Sequence, residues 1–142
     1  MSEAKGVGIR QQVIAFHKAM EMPGQGEGPP RWPDEVRVRL RAALIIEEFF
    51  EVMEAMFVPS RNIESAKNQM RKMIQQCPIG GDMPELADGL ADLDYVVEGT
   101  RLEFGIDGGP VAEEVHRANM AKPPGWTPPD IAGVLRRQGW EP

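Results

Sequence analysis

One stretch constrains this chain more than any other: Arg39 to Val58, RLRAALIIEEFFEVMEAMFV. It contains no Pro or Gly, is rich in Ala, Leu, Glu and Met, and follows a start signal at Pro33-Asp34, so it reads as a helix. At about 100° per residue, Glu47, Glu48 and Glu51 fall within an arc of roughly 100°. Leu40 and Leu44 lie in the same arc before them, and Ala55 and Val58 lie in it afterwards. The opposite side carries Ile45, Ile46, Phe49, Phe50, Met53 and Met56. A helix apolar nearly all round is expected to be buried nearly all round. Carboxylates inside such a helix are costly unless a cation meets them. The competing reading is a solvated acidic face, which would leave Leu40, Leu44 and Val58 in water.

A second acidic stripe decides between the two. Residues 85–106, ELADGLADLDYVVEGTRLEFGI, read as another helix. There Glu85, Asp88 and Asp92 fall within roughly 60° of one another, with Gly99 on the same face and Tyr95 at its border. Leu86, Leu90, Leu93, Val97 and Phe104 form the opposite side, which is expected to be buried. Paired across a helical bundle, the two faces would place Glu47, Glu48, Glu51, Asp88 and Asp92 around one small volume. Their repulsion then demands cations. Oxygen ligands of this kind suit hard ions, Mg²⁺ or Mn²⁺ above Zn²⁺. The chemistry that follows is metal-assisted attack of water on a phosphate ester or anhydride, with a spare carboxylate to take the proton.

The rest of the chain supports an all-α bundle of about five helices, with the acidic metal site between two of them. Residues 8–22 carry Ile9, Val13, Phe16 and Met20 at helical spacing, with His17 beside the stripe in a structural role. Residues 23–33, PGQGEGPPRWP, form a mobile loop anchored at Trp32. Residues 60–76 form a third helix capped by Ser60, and residues 110–121 a fifth, with Pro110 in its first turn. Residues 123–142 are a C-terminal extension in which Asp130 caps a short last helix. The thirteen Pro and fifteen Gly cluster between these segments and punctuate them. No period-two strand pattern and no internal repeat is visible.

Composition narrows the function. A chain of 142 residues is long enough for one domain with a core. Its net charge of −6, without a basic patch, argues against a nucleic-acid partner. No apolar run reaches membrane-spanning length. The N-terminal MSEAKGVGIRQQ lacks an apolar signal region, and single Cys77 can form no internal disulfide, so a cytoplasmic setting is expected. A di-iron centre is disfavoured: Glu113-x-x-His116 occurs once, and the only other His, His17, has no Glu three residues before it.

These segments, in this order, resemble the all-α nucleoside triphosphate pyrophosphohydrolases, the MazG-like and dimeric dUTPase superfamily. The resemblance rests on Glu47-Glu48-Phe49-Phe50-Glu51, on the acidic helix 85–106, on EVHRANMAK (114–122) and on GWTPPDIAGVL (125–135). It runs from about residue 8 to 138. One departure stands out: aligned on Tyr95-Val96-Val97, the family's E-x-x-D has Gly89 at its Glu position and Asp92 at its Asp position. The pair Asp88/Asp92 is therefore the expected ligand set, with Glu85 as an outer candidate.

The resemblance implies Mg²⁺-dependent cleavage of a nucleoside triphosphate between the α and β phosphates, giving the monophosphate and pyrophosphate. Glu48, Glu51, Asp88 and Asp92 would hold the metal. Glu47 would hold a further metal or act catalytically on the attacking water, and Asn119 and Lys122 would contact phosphate or sugar. A pyrimidine deoxynucleotide, dUTP or dCTP, is the expected substrate, in cleansing of the nucleotide pool. A homodimer or homotetramer is expected, burying the far side of helix 39–58. The alternatives are another pyrophosphate-linked substrate and a non-catalytic helical interaction protein. Phe16, Trp32 and Trp126 could stack on a base, though core packing is the default for each.

Overall fold

The computed structural model describes residues 8–121 and 127–142. The described residues form six helices: α1 Ile9–Ala19, α2 Glu35–Met56, α3 Arg61–Gln76, α4 Met83–Glu103, α5 Gly108–Met120 and α6 Ile131–Arg137. No strand occurs among them. The fold is all-α, and none of these helices is long and apolar enough to cross a membrane.

The starts are set by side chains that accept otherwise unpaired N–H groups. Asp34 accepts from the Arg37 N–H at 2.9 Å, Ser60 from Asn62 at 3.1 Å, and Asp82 from Glu85 at 3.1 Å. Asp107 caps α5 by accepting from Gly109 at 3.1 Å, and Asp130 caps α6 by accepting from Gly133 at 3.0 Å. Capping by Asp34 starts α2 one turn before Arg39, where the uninterrupted apolar pattern begins.

The chain divides into two compact units, and the boundary falls inside α4. The central unit, Pro30–Ala87, packs α2 on α3. Arg39 of α2 holds the end of α3: its guanidinium donates to the carbonyls of Ile74 at 2.6 Å and Cys77 at 2.9 Å, groups the helix cannot pair itself. Lys67 reaches Glu54 at 3.5 Å on the same seam. Phe50 is buried and meets Phe49 edge to face, with ring centroids 5.2 Å apart.

The terminal unit comprises the described residues of Met1–Pro29 and Asp88–Pro142. In it α5 packs against both α1 and α6, with Ala118 and Val134 buried. Two polar clasps bind α6 to α5. The Gln138 amide exchanges hydrogen bonds with the Asp107 backbone, each 2.8 Å. Glu114 accepts from Arg117 at 2.7 Å and from the Asp130 N–H at 2.9 Å, while Arg117 also donates to Thr127 Oγ1 at 3.1 Å. The Arg117 hydrogen bond, then the Asp130 N–H, holds the Glu114 carboxyl down to about 2.

Three helix ends in this unit, those of α1, α4 and α6, close in the same way. After α4, Ile106 N–H bonds Arg101 O at 2.9 Å and Gly105 N–H bonds Leu102 O at 3.2 Å, with Gly105 at φ 70°. This is a Schellman motif, whose left-handed residue is normally Gly. After α1 the pattern recurs, Met22 to His17 at 2.8 Å and Glu21 to Lys18 at 3.2 Å, but the left-handed residue is Glu21, at φ 53°. A side chain there costs roughly 1–2 kcal/mol. Glu21→Gly is therefore expected to stabilise the protein by up to about 1 kcal/mol, less than the full relief because Gly gains freedom in the unfolded chain. Chemical denaturation would show it as a higher midpoint at unchanged slope, and a lower midpoint would contradict it.

The structure corrects two expectations of burial. The apolar side of α4 was expected to be covered, yet no α4 residue is buried, and Leu86, Leu90, Leu93 and Val97 are each about 40% exposed. Phe104 is more open still. On α2, expected to be buried nearly all round, only Phe50 is; Ile45, Phe49 and Met56 are exposed. The reason is physical. Periodicity identifies the face that avoids water, but not whether the same chain supplies the layer that covers it.

Candidate active site

The α2 acids stand where the sequence places them, on one arc of an uninterrupted helix. Glu47, Glu48 and Glu51 are all exposed, and no described cation pairs with any of them. By contrast, the other two acids of α2 are paired, Glu35 with Arg39 and Glu54 with Lys67. The Glu48 carboxyl is raised above its ordinary range, first by partial burial, then by the charge of Glu51 and a hydrogen bond between these two carboxyls, and last by Glu47. Carboxylate oxygens without a counter-cation are of the donor type that suits hard divalent cations.

On α4, Asp88 and Asp92 are exposed one turn apart, and neither has a described ion-pair partner. Glu85 occupies the first turn. Glu98 pairs with Arg101 at 3.0 Å on the exposed surface of α4. The α2 acids and Glu85 belong to the central unit, Asp88 and Asp92 to the terminal one. Among the described residues, no group of three or more His, Cys, Asp or Glu is gathered as a metal cage.

The remaining candidates sort clearly. Asn119 lies in the last turn of α5, exposed, on the wall of a pocket with His116 and Phe16. Lys122 and Trp126 lie outside the described residues. Trp32 sits over Gly81, where an added methyl would meet its ring at 3.3 Å, so it anchors its loop within the central unit. His17 has the structural role expected of it: its Nδ1 lies 2.7 Å from Gly24 O, pinning the turn after α1.

Sequence reasoning missed Gln12. It is 4% exposed, more buried than any apolar residue of α1, and lines the same pocket as Asn119. The available signal was its register: Gln12 stands three residues after Ile9 and four before Phe16, inside the apolar stripe.

The sequence pattern of the phosphoribosyl-ATP pyrophosphohydrolase family matches residues 13–119, well over half of the chain. The chain belongs to this family. It is therefore a hydrolase acting on phosphoric anhydrides, of the all-α pyrophosphohydrolase kind related to the MazG-like proteins. The match spans both acidic helices and Asn119 and stops short of Lys122. No curated protein and no solved structure matches the chain.

Proposed function

We propose that this pyrophosphohydrolase is Mg²⁺-dependent and cleaves a nucleoside triphosphate between the α and β phosphates, releasing the monophosphate and pyrophosphate. The observation that carries the reading is the α2 triad of carboxylates without a counter-cation, in a chain whose family hydrolyses pyrophosphate bonds. Glu48 and Glu51, with Asp88 and Asp92, would hold the metal, and Mn²⁺ would serve in the same oxygen donor set. Glu85 would be an outer ligand or a bystander. When bound, Mg²⁺ neutralises phosphate oxygens and raises the acidity of the attacking water. Glu47 orients that water and accepts its proton, while Asn119 and Lys122 contact phosphate or sugar.

The substrate is a free nucleotide, either phosphoribosyl-ATP-like or a pyrimidine deoxynucleotide such as dUTP or dCTP. Apolar side chains left exposed on α2 and α4 support a homodimer or homotetramer, since patches of this kind mark interaction surfaces. A cytoplasmic setting agrees with a single, free Cys77.

The purified protein, incubated with Mg²⁺ and a panel holding phosphoribosyl-ATP, dUTP, dCTP and the common triphosphates, should yield a monophosphate and pyrophosphate in equal amounts on anion exchange. Diphosphate and orthophosphate would contradict the bond assigned.

A further inference from the structure

The pocket on the terminal unit has a volume of about 240 Å³ and lies between α1 and α5, with Arg101 at its edge. Phe16 and Val115 give it apolar walls, and Gln12, His116 and Asn119 its polar groups. Gln12 is the informative one. Its Oε1 is buried and has no hydrogen-bond partner among the described residues. Buried polar groups are nearly always paired, so an orphan of this kind calls for an explanation. Stability does not supply one. Position 12 lies in the apolar stripe of α1, where Leu or Met would avoid the cost of a desolvated, unpaired amide.

Resting on the reading of the chain as a nucleotide pyrophosphohydrolase, we propose that this pocket takes the base of the substrate and that Gln12 is a specificity-determining residue. A small turn of the Gln12 amide towards the pocket lets Oε1 accept an N–H from the edge of the ring. The volume lies below the roughly 300 Å³ at which drug-sized sites begin, so it suits one ring system rather than a whole nucleotide. A flat heterocycle matches the walls: its faces meet apolar side chains, and its edge meets the Gln12 amide and the His116 imidazole, which leaves Asn119 for the sugar. The unpaired amide is stability given up for discrimination, because a buried group that needs a partner rejects ligands that offer none.

Gln12→Met keeps the side chain's length and removes its polar atoms. The expected result has three parts. The thermal midpoint without ligand rises, because the orphan is gone. KM for the preferred triphosphate rises on the order of tenfold to a hundredfold with kcat little changed. The preference among bases flattens. A structural amide predicts the reverse: a lower midpoint, with KM and base preference unmoved, and that result overturns the proposal.

A second measurement separates this inference from the reaction itself. Uridine, cytidine and adenosine are titrated into the metal-free wild-type protein and followed by NMR. Shifts confined to α1 and α5, and lost in Gln12→Met, sustain the pocket even if no triphosphate were hydrolysed. No shift with any nucleoside overturns it even in an active enzyme.

Discussion

Glu48→Ala should lower pyrophosphate release on the order of 10³-fold, and Asp92→Ala comparably, with helical content unchanged. Removing one preorganised electrostatic group from a site where charge develops typically costs 10²–10³-fold or so in rate. The fold has little to lose, since both side chains are exposed and make no described ion pair. Surface substitutions of this kind usually stay within about 0.5 kcal/mol. Removing Glu48 even relieves repulsion, because Glu51 and Glu47 both push its carboxyl towards the protonated form. Stopped assays for pyrophosphate, with circular dichroism as the control for folding, decide the matter. Full activity in both variants would remove these residues from the mechanism. Loss in Glu48→Ala alone would keep the α2 acids and exclude Asp92, and Asp88→Ala would then be the informative variant.

The helices were legible because their ends are chemically marked. Asp34, Ser60 and Asp130 each accept a backbone N–H at the position where the sequence signals a start. Local physics of this kind needs no tertiary context. Burial was less legible. The stripe Leu86, Leu90, Leu93 and Val97 states an aversion to water, and its exposure shows that the chain alone does not satisfy it. The acids of α2 were legible as an arc, while the upward shift of the Glu48 carboxyl depends on side-chain placement that spacing only permits. Gln12 escaped notice for the opposite reason. A polar residue in an apolar stripe reads as a fault in the pattern, and only its burial and its unpaired oxygen turn it into a candidate for function.

Mg²⁺ should raise the thermal midpoint of the metal-free protein by several degrees near neutral pH, and by much less at the acid end of the carboxylate range. A ligand that binds only the folded state stabilises it by RT ln(1 + [L]/Kd), about 2.7 kcal/mol at a hundredfold excess over Kd. The pH dependence follows from Glu48. Its folded-state pKa is raised, so the folded protein holds that proton more tightly than the unfolded chain does. The resulting stability is present below the unfolded pKa and is lost as pH rises through the folded one. Above that window the metal-free protein carries the full repulsion of Glu47, Glu48 and Glu51, which a divalent cation relieves. Below it a proton already occupies the site, and Mg²⁺ must displace it. The midpoint shift should therefore grow with pH across the carboxylate range and then level off. In Glu48→Ala the shift should shrink and depend less steeply on pH. Midpoints that ignore Mg²⁺ at every pH would favour an acidic face that is merely solvated. A shift retained undiminished in Glu48→Ala would move the metal to other carboxylates.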